Sequence, residues 1–144
     1  MKFLVAILVL AGILRFWDIS HLPNGLHWDE QDTGYQAYSL LKTGKDYFGN
    51  VLPLFPHSFA DWRTPVFVYS AIPFVKLLGL TPLAVRLPSA ISGILSVILI
   101  YYLANQLFKK PVGILAALVL SLSPWHVLYG RQSVECNIML LYLL

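Results

Sequence analysis

The sequence predicts an all-α polytopic membrane protein, on three observations. Hydrophobic types make up 58% of the 144 residues and charged types only 12%, against roughly 25% charged in an ordinary soluble protein. Mean hydropathy is +0.69. The apolar residues gather in long runs, whereas six of the seven acidic residues and three of the four histidines lie between 18 and 63. The net charge of +3 is too small and too scattered to suggest a nucleic-acid partner. The single cysteine, Cys136, excludes an internal disulfide framework and any multi-cysteine metal site.

The first apolar run, residues 3–17, follows Lys2 and closes on Arg15, Phe16 and Trp17. At about 22 Å it is short for a hydrocarbon core of about 30 Å. A signal peptide is the rival reading, but Arg15-Phe16-Trp17-Asp18 stands where a small-residue cleavage site would follow. Lys2 and Arg15 can snorkel to opposite interfaces, with Trp17 in an aromatic belt. Residues 18–86 then read as one long outer loop carrying juxtamembrane helices. Within it, Glu30 to Lys42 places Tyr35, Tyr38 and Leu41 on one helical face, and Gly44 is a natural stop. Gly49, Asn50, Pro53 and Pro56 make 45–59 irregular. Thr64 to Leu80 is apolar but interrupted by Pro65, Pro73 and Lys76, which suits a helix on the membrane surface.

Residues 87–108 contain no charge and form a second span. Lys109 and Lys110 separate it from a third run, 111–129, and a fourth begins near 138 and runs to 144. The expectation is therefore the N-terminal part of one longer transmembrane domain, its last span truncated. If the first three runs cross, Lys2 and the Lys109-Lys110 pair share a side, which the positive-inside rule makes cytoplasmic. The acidic loop and residues 125–137 then meet on the outer face.

The ionisable residues of that face can each be read two ways. In His27-Trp28-Asp29-Glu30-Gln31-Asp32, Asp29 can cap a helix start while Glu30 and Asp32 favour its dipole. The same acids with His27 can instead bind a divalent cation or supply a base. Arg63 and Arg86 stand at apolar boundaries, as snorkelling arginines or as clamps for a phosphate at headgroup depth. Arg131 and Glu135 form a local i,i+4 pair or belong to the site. His126 reads as an interfacial hydrogen-bonder.

Five segments together resemble a known family: Asp29-Glu30, TGKDYFGN at 43–50, DWRTPVFVY at 61–69, VRLPSAISG at 85–93 and SPWHVLYGRQSVECN at 123–137. In order along nearly the whole chain, they look like the start of a GT-C membrane glycosyltransferase. The resemblance is to the branch of protein O-mannosyltransferases and lipid A aminoarabinose transferases. It implies a GT-C-type helical bundle in the cell membrane that moves a sugar from a polyprenyl-phosphate donor to an acceptor hydroxyl on the extracytoplasmic side. The acceptor is a protein, lipid or glycan.

Residue by residue, the resemblance gives Asp29 the role of catalytic base in an inverting transfer, with Glu30 as its acidic neighbour. Arg63 falls where members contact the lipid phosphate, often through a lysine before proline. Glu135 falls where the second outer loop supplies another carboxylate, commonly aspartate. Arg86 and Arg131 match basic positions and join Arg63 as expected phosphate contacts. That branch mostly works without a metal, so no cofactor is expected, although the oligosaccharyltransferase branch needs a divalent cation. Two other readings remain open: a transporter or scaffold subunit, and a metal-dependent membrane hydrolase built on His27, Asp29, Glu30 and Asp32.

Overall fold

The computed structural model describes residues 2–59 and 61–144. It is mostly helical, and its helices pack around one central member. In chain order they are α1 (Lys2–Phe16), α2 (Trp28–Thr43), α3 (Pro65–Leu78), α4 (Pro82–Leu107), α5 (Lys110–Leu122), α6 (Pro124–Arg131) and α7 (Glu135–Leu143). A two-stranded antiparallel hairpin, β1 (His57–Ser58) and β2 (Asp61–Trp62), interrupts the stretch expected to be irregular.

The central helix is α4, against which every other helix packs. Its start is fixed by Thr81, whose hydroxyl accepts from the Ala84 N–H at 3.2 Å, with Pro82 in the first turn. It therefore begins five residues ahead of the uncharged run, and Arg86 lies inside the helix rather than before it. Among the described residues, α4 alone is long and apolar enough to cross a membrane, with a second crossing if α5 and α6 count as one bent span.

That bend corrects the reading of 111–129 as one continuous run. Between α5 and α6 the axis turns by 58°. Pro124 has no N–H to donate, and its ring drives Ser123 out of the helical region, to φ −57° and ψ 117°.

Two apolar clusters hold the bundle. Ile7 and Ala11 of α1 meet Val97 and Tyr101 of α4 and Ala117 of α5. The approach of α4 to α5 is close: a Cβ on Gly113 would lie 2.8 Å from the Tyr101 carbonyl oxygen. Ala37 of α2, Ala71 and Val75 of α3 and Ala84 of α4 form the second cluster, which seats the outer loop on the central helix. Phe3, Val5, Val9 and Ile13 of α1, with Leu115 and Val119 of α5, are exposed. Such one-sided apolar rows suit a lipid environment.

At the end of the bundle that carries the α1 C-terminus, polar side chains tie the segments together. Arg131 donates to the carbonyls of Leu14 at 2.9 Å, Trp17 at 2.6 Å and Leu22 at 3.3 Å. Those contacts cover the open C-terminal carbonyls of α1. Arg15, fully buried, donates to the Ala11 carbonyl and to His126 Nδ1 at 2.6 Å. The end of α1 and the turn after it are thus tied to α6.

Candidate active site

The start of α2 differs from the expected cap. His27 is the N-cap, its ring accepting from the Asp29 N–H at 3.4 Å, while the Glu30 carboxylate accepts from the His27 N–H at 2.8 Å. This reciprocal capping box satisfies two end amides and leaves the Asp29 carboxylate free to face outward. Gly44 closes the helix in the left-handed conformation, φ 68°.

Beyond Gly44, Asp46 folds the loop. Its carboxylate accepts from the Phe48 N–H at 3.0 Å, the Asn50 N–H and Nδ2 at 2.8 Å, and the His57 N–H at 3.2 Å. Burial pushes its pKa up, but the Asn50, His57 and Phe48 hydrogen bonds outweigh that and hold it below the usual range. Gln36 of α2 donates to the His57 carbonyl at 2.5 Å, pinning the hairpin to the helix. The hairpin then delivers Arg63, whose N–H donates to the Pro56 carbonyl at 2.9 Å.

The Arg63 guanidinium bridges two carboxylates one turn apart on α2. Its Nη1 donates to Asp29 Oδ1 at 2.8 Å and its Nε to Asp32 Oδ2. Tyr47 donates its hydroxyl to the other Asp32 oxygen at 2.7 Å. Burial raises the Tyr47 pKa and the Asp32 charge adds to it, so the phenol keeps its proton. For Arg63 burial acts downward, but Asp32 and Asp29 outweigh it and raise the pKa, keeping the guanidinium charged. Its Nη2 has no protein partner among the described residues.

Asp29 and Arg63 open onto a cleft of about 560 Å³. Glu135, at the start of α7, also lines it and accepts from the N–H of Thr64, the residue after Arg63, at 3.2 Å. Val66, Ile138, Met139 and Tyr142 make the rest of the wall largely apolar. Asp29, Arg63 and Glu135, 106 residues apart at the extremes by chain number (135 − 29), are thus brought to one cavity.

The other three expected site residues lie elsewhere. Glu30 and Arg86 are each 1% exposed and paired with each other, Nε to Oε1 at 2.7 Å and Nη2 to Oε2 at 3.2 Å. Arg86 also donates to the carbonyls of Ile19, Pro23 and Gly25, and Glu30 also accepts from the Ser133 N–H. This knot joins four segments: the 19–25 turn, the start of α2, α4 and the turn at Ser133. Arg131 holds the end of α1, and the break between α6 and α7 separates it from Glu135 instead of pairing them along one helix. Among the described residues no three His, Cys, Asp or Glu side chains could together hold a metal ion. Of the four residues of the hydrolase reading, His27 Nδ1 lies 3.5 Å from Asp29 Oδ2, but Asp29 and Asp32 are held by Arg63 and Glu30 turns away to Arg86.

The supports of Arg63 escaped the sequence reading. Asp32 shares a helical face with Asp29, and that i,i+3 spacing was the available signal. Nothing local marks Tyr47 or the Thr64 amide.

Fold and site together define a helical protein, suited to lipid, with an arginine–carboxylate cleft at one end of its bundle. The model of the dolichyl-phosphate-mannose-protein mannosyltransferase family matches residues 62–144, more than half of the chain, and the chain belongs to that family. It is thereby a glycosyltransferase of the mannosyltransferase type, from a membrane-integral family, and α4 fits that setting. Arg63, Arg86, Arg131 and Glu135 lie inside the matched region, whereas Asp29 and Glu30 precede it. No curated protein and no solved structure matches the chain.

Proposed function

We propose that the protein transfers a sugar from a polyprenyl-phosphate donor to an acceptor hydroxyl, with inversion, at the extracytoplasmic face of the cell membrane. The observation that carries this reading is the shared cleft of Asp29, Arg63 and Glu135, apolar along α7 and charged at its rim. A polyprenyl chain suits the apolar wall, and its phosphate suits the Arg63 Nη2, which has no protein partner among the described residues.

In the transfer, the Asp29 carboxylate takes the proton of the acceptor hydroxyl as its oxygen attacks the anomeric carbon. The bond from that carbon to the phosphate oxygen breaks, and polyprenyl phosphate leaves with the electron pair. A positioned base contributes typically about 10²–10⁴-fold. Arg63 meets the negative charge growing on the leaving phosphate, and an interaction that strengthens toward the transition state raises the rate. Glu135 orders the first turn of α3, and with it the backbone next to Arg63. In this reading Glu30, Arg86 and Arg131 are positioning residues: they hold the loop and helix ends that carry Asp29 and Glu135.

Cys136 lines the same cleft and is partly exposed. Polyprenyl-phosphate mannose added to the full-length protein in membranes should slow alkylation of Cys136, followed by peptide mass spectrometry. Alkylation at an unchanged rate with saturating donor would remove the cleft as the donor site.

A further inference from the structure

A second cavity, of about 460 Å³, is lined by Trp28, Gln31, Asp32, Tyr35, Tyr47 and Phe59. It shares no lining residue with the Asp29 cleft, yet Arg63 bonds a carboxylate from each. Trp28 is 82% exposed and Phe59 81%, so both rings have open faces. The Tyr47 ring lies between, its centroid 5.8 Å from that of Tyr35 and 6.2 Å from that of Phe59.

We propose that this aromatic cup binds a neutral sugar ring of the acceptor, an inference that rests on the transferase reading above. Three features select a sugar over a peptide. One wall is α2 itself, whose backbone is internally bonded from the Gln31 N–H onward, so it has no free main-chain edge for an extended peptide to pair with. What the wall presents is side chains, the Gln31 amide and the Tyr35 hydroxyl. The Asp32 carboxylate, with its side chain only 3% exposed, lies behind them and holds the Tyr47 ring in place through its hydroxyl. The exposed rings supply flat apolar faces for the C–H side of a pyranose. Among the described residues no cation lines the cup, which disfavours an anionic ligand beside Asp32.

The cup sits one helical turn along α2 from Asp29. A sugar ring held there directs a hydroxyl of the same acceptor toward the base, while Arg63 couples occupancy of the cup to the donor cleft through Asp32.

The test uses the full-length protein in nanodiscs, with mannobiose, cellobiose and chitobiose as probes and a Ser/Thr-rich peptide as comparator. Tryptophan fluorescence reports binding, and release of labelled sugar from polyprenyl phosphate into water reports the donor reaction separately. A disaccharide should change the fluorescence of the wild type. Trp28→Ala and Phe59→Ala, both at exposed positions, should each raise the acceptor KM about tenfold with donor hydrolysis unchanged, and Trp28→Tyr should restore most of the affinity. A fluorescence change with the peptide and none with any saccharide would overturn the proposal, as would variants with unaltered acceptor KM. Asp29-dependent donor hydrolysis without saccharide binding refutes the cup alone. Saccharide binding without donor turnover refutes the transferase reading and leaves the sugar site standing.

Discussion

Replacing Glu30 by Gln should destabilise the protein while leaving the donor cleft intact in whatever fraction stays folded. The magnitude follows from the knot around Arg86. Both partners are 1% exposed, and among the described residues the carboxylate is the sole counter-charge in contact with the guanidinium. Removing one partner of a buried pair typically costs about 3–5 kcal/mol, because the remaining charge stays buried and uncompensated. The amide of Gln keeps one oxygen, so one of the two N–H groups that Glu30 accepts from, His27 and Ser133, loses its acceptor as well. At the low end of that range Tm falls by roughly 6–12 °C, taking about 2–4 °C per kcal/mol.

The assay is thermal unfolding of the full-length protein in detergent micelles. Arg86→Met alone should be similarly damaging, since it strands Glu30 and releases the Ile19, Pro23 and Gly25 carbonyls. The double variant should recover part of the loss, because no unpaired charge remains, but not all of it. A Glu30→Gln protein that melts with the wild type and has lost donor turnover would refute this reasoning and place Glu30 in the chemistry.

Four further outcomes follow from the same geometry. Asp29→Asn should lower transfer by about 10²–10⁴-fold with little change in Tm, as a half-buried residue at the start of α2, checked by labelled-sugar transfer beside a melting curve. Arg63→Lys cannot reach Asp29 and Asp32 together in the forked geometry of a guanidinium; the donor KM should rise about tenfold or more, measured by donor titration. Gly113→Ala should destabilise by about 1–3 kcal/mol, since its Cβ would meet α4 backbone at 2.8 Å, read by chemical unfolding. Asp46 has a folded pKa below its unfolded 3.8, so its contribution is complete above that value and is lost as pH falls through the folded value. Limited proteolysis of the 44–58 loop should therefore accelerate below about pH 4, and Asp46→Asn should be cleaved rapidly at neutral pH as well.

Sequence patterning located most of the helices, because apolar runs and their punctuation are local, but it missed the break between α5 and α6. Gly44 ends α2, and the Lys109-Lys110 pair separates α4 from α5. Proline was ambiguous: Pro73 and Pro88 sit inside helices, whereas Pro124 starts a new one at a sharp bend. Each disrupts the same hydrogen bond, and only tertiary packing decides whether the helix bends, breaks or absorbs it. The site was legible as a set of residues and not as a set of roles. Arg63 and Arg86 both precede apolar segments, and Asp29 and Glu30 are neighbours. What separates the open pair from the sealed one is partner choice across 34 and 56 residues of chain. Adjacent residues on a helix point about 100° apart, so Asp29 faces the cleft while Glu30 faces α4.

The central claim is that Asp29, held by Arg63 at the mouth of an apolar cleft, is the base of a lipid-linked sugar transfer. Its most direct test places full-length protein in membranes with radiolabelled polyprenyl-phosphate hexoses, and follows label leaving the lipid in wild type, Asp29→Asn and chelator-treated samples. The account predicts release that requires Asp29 and survives the chelator. Release that persists in Asp29→Asn, or that stops on chelation, would contradict it.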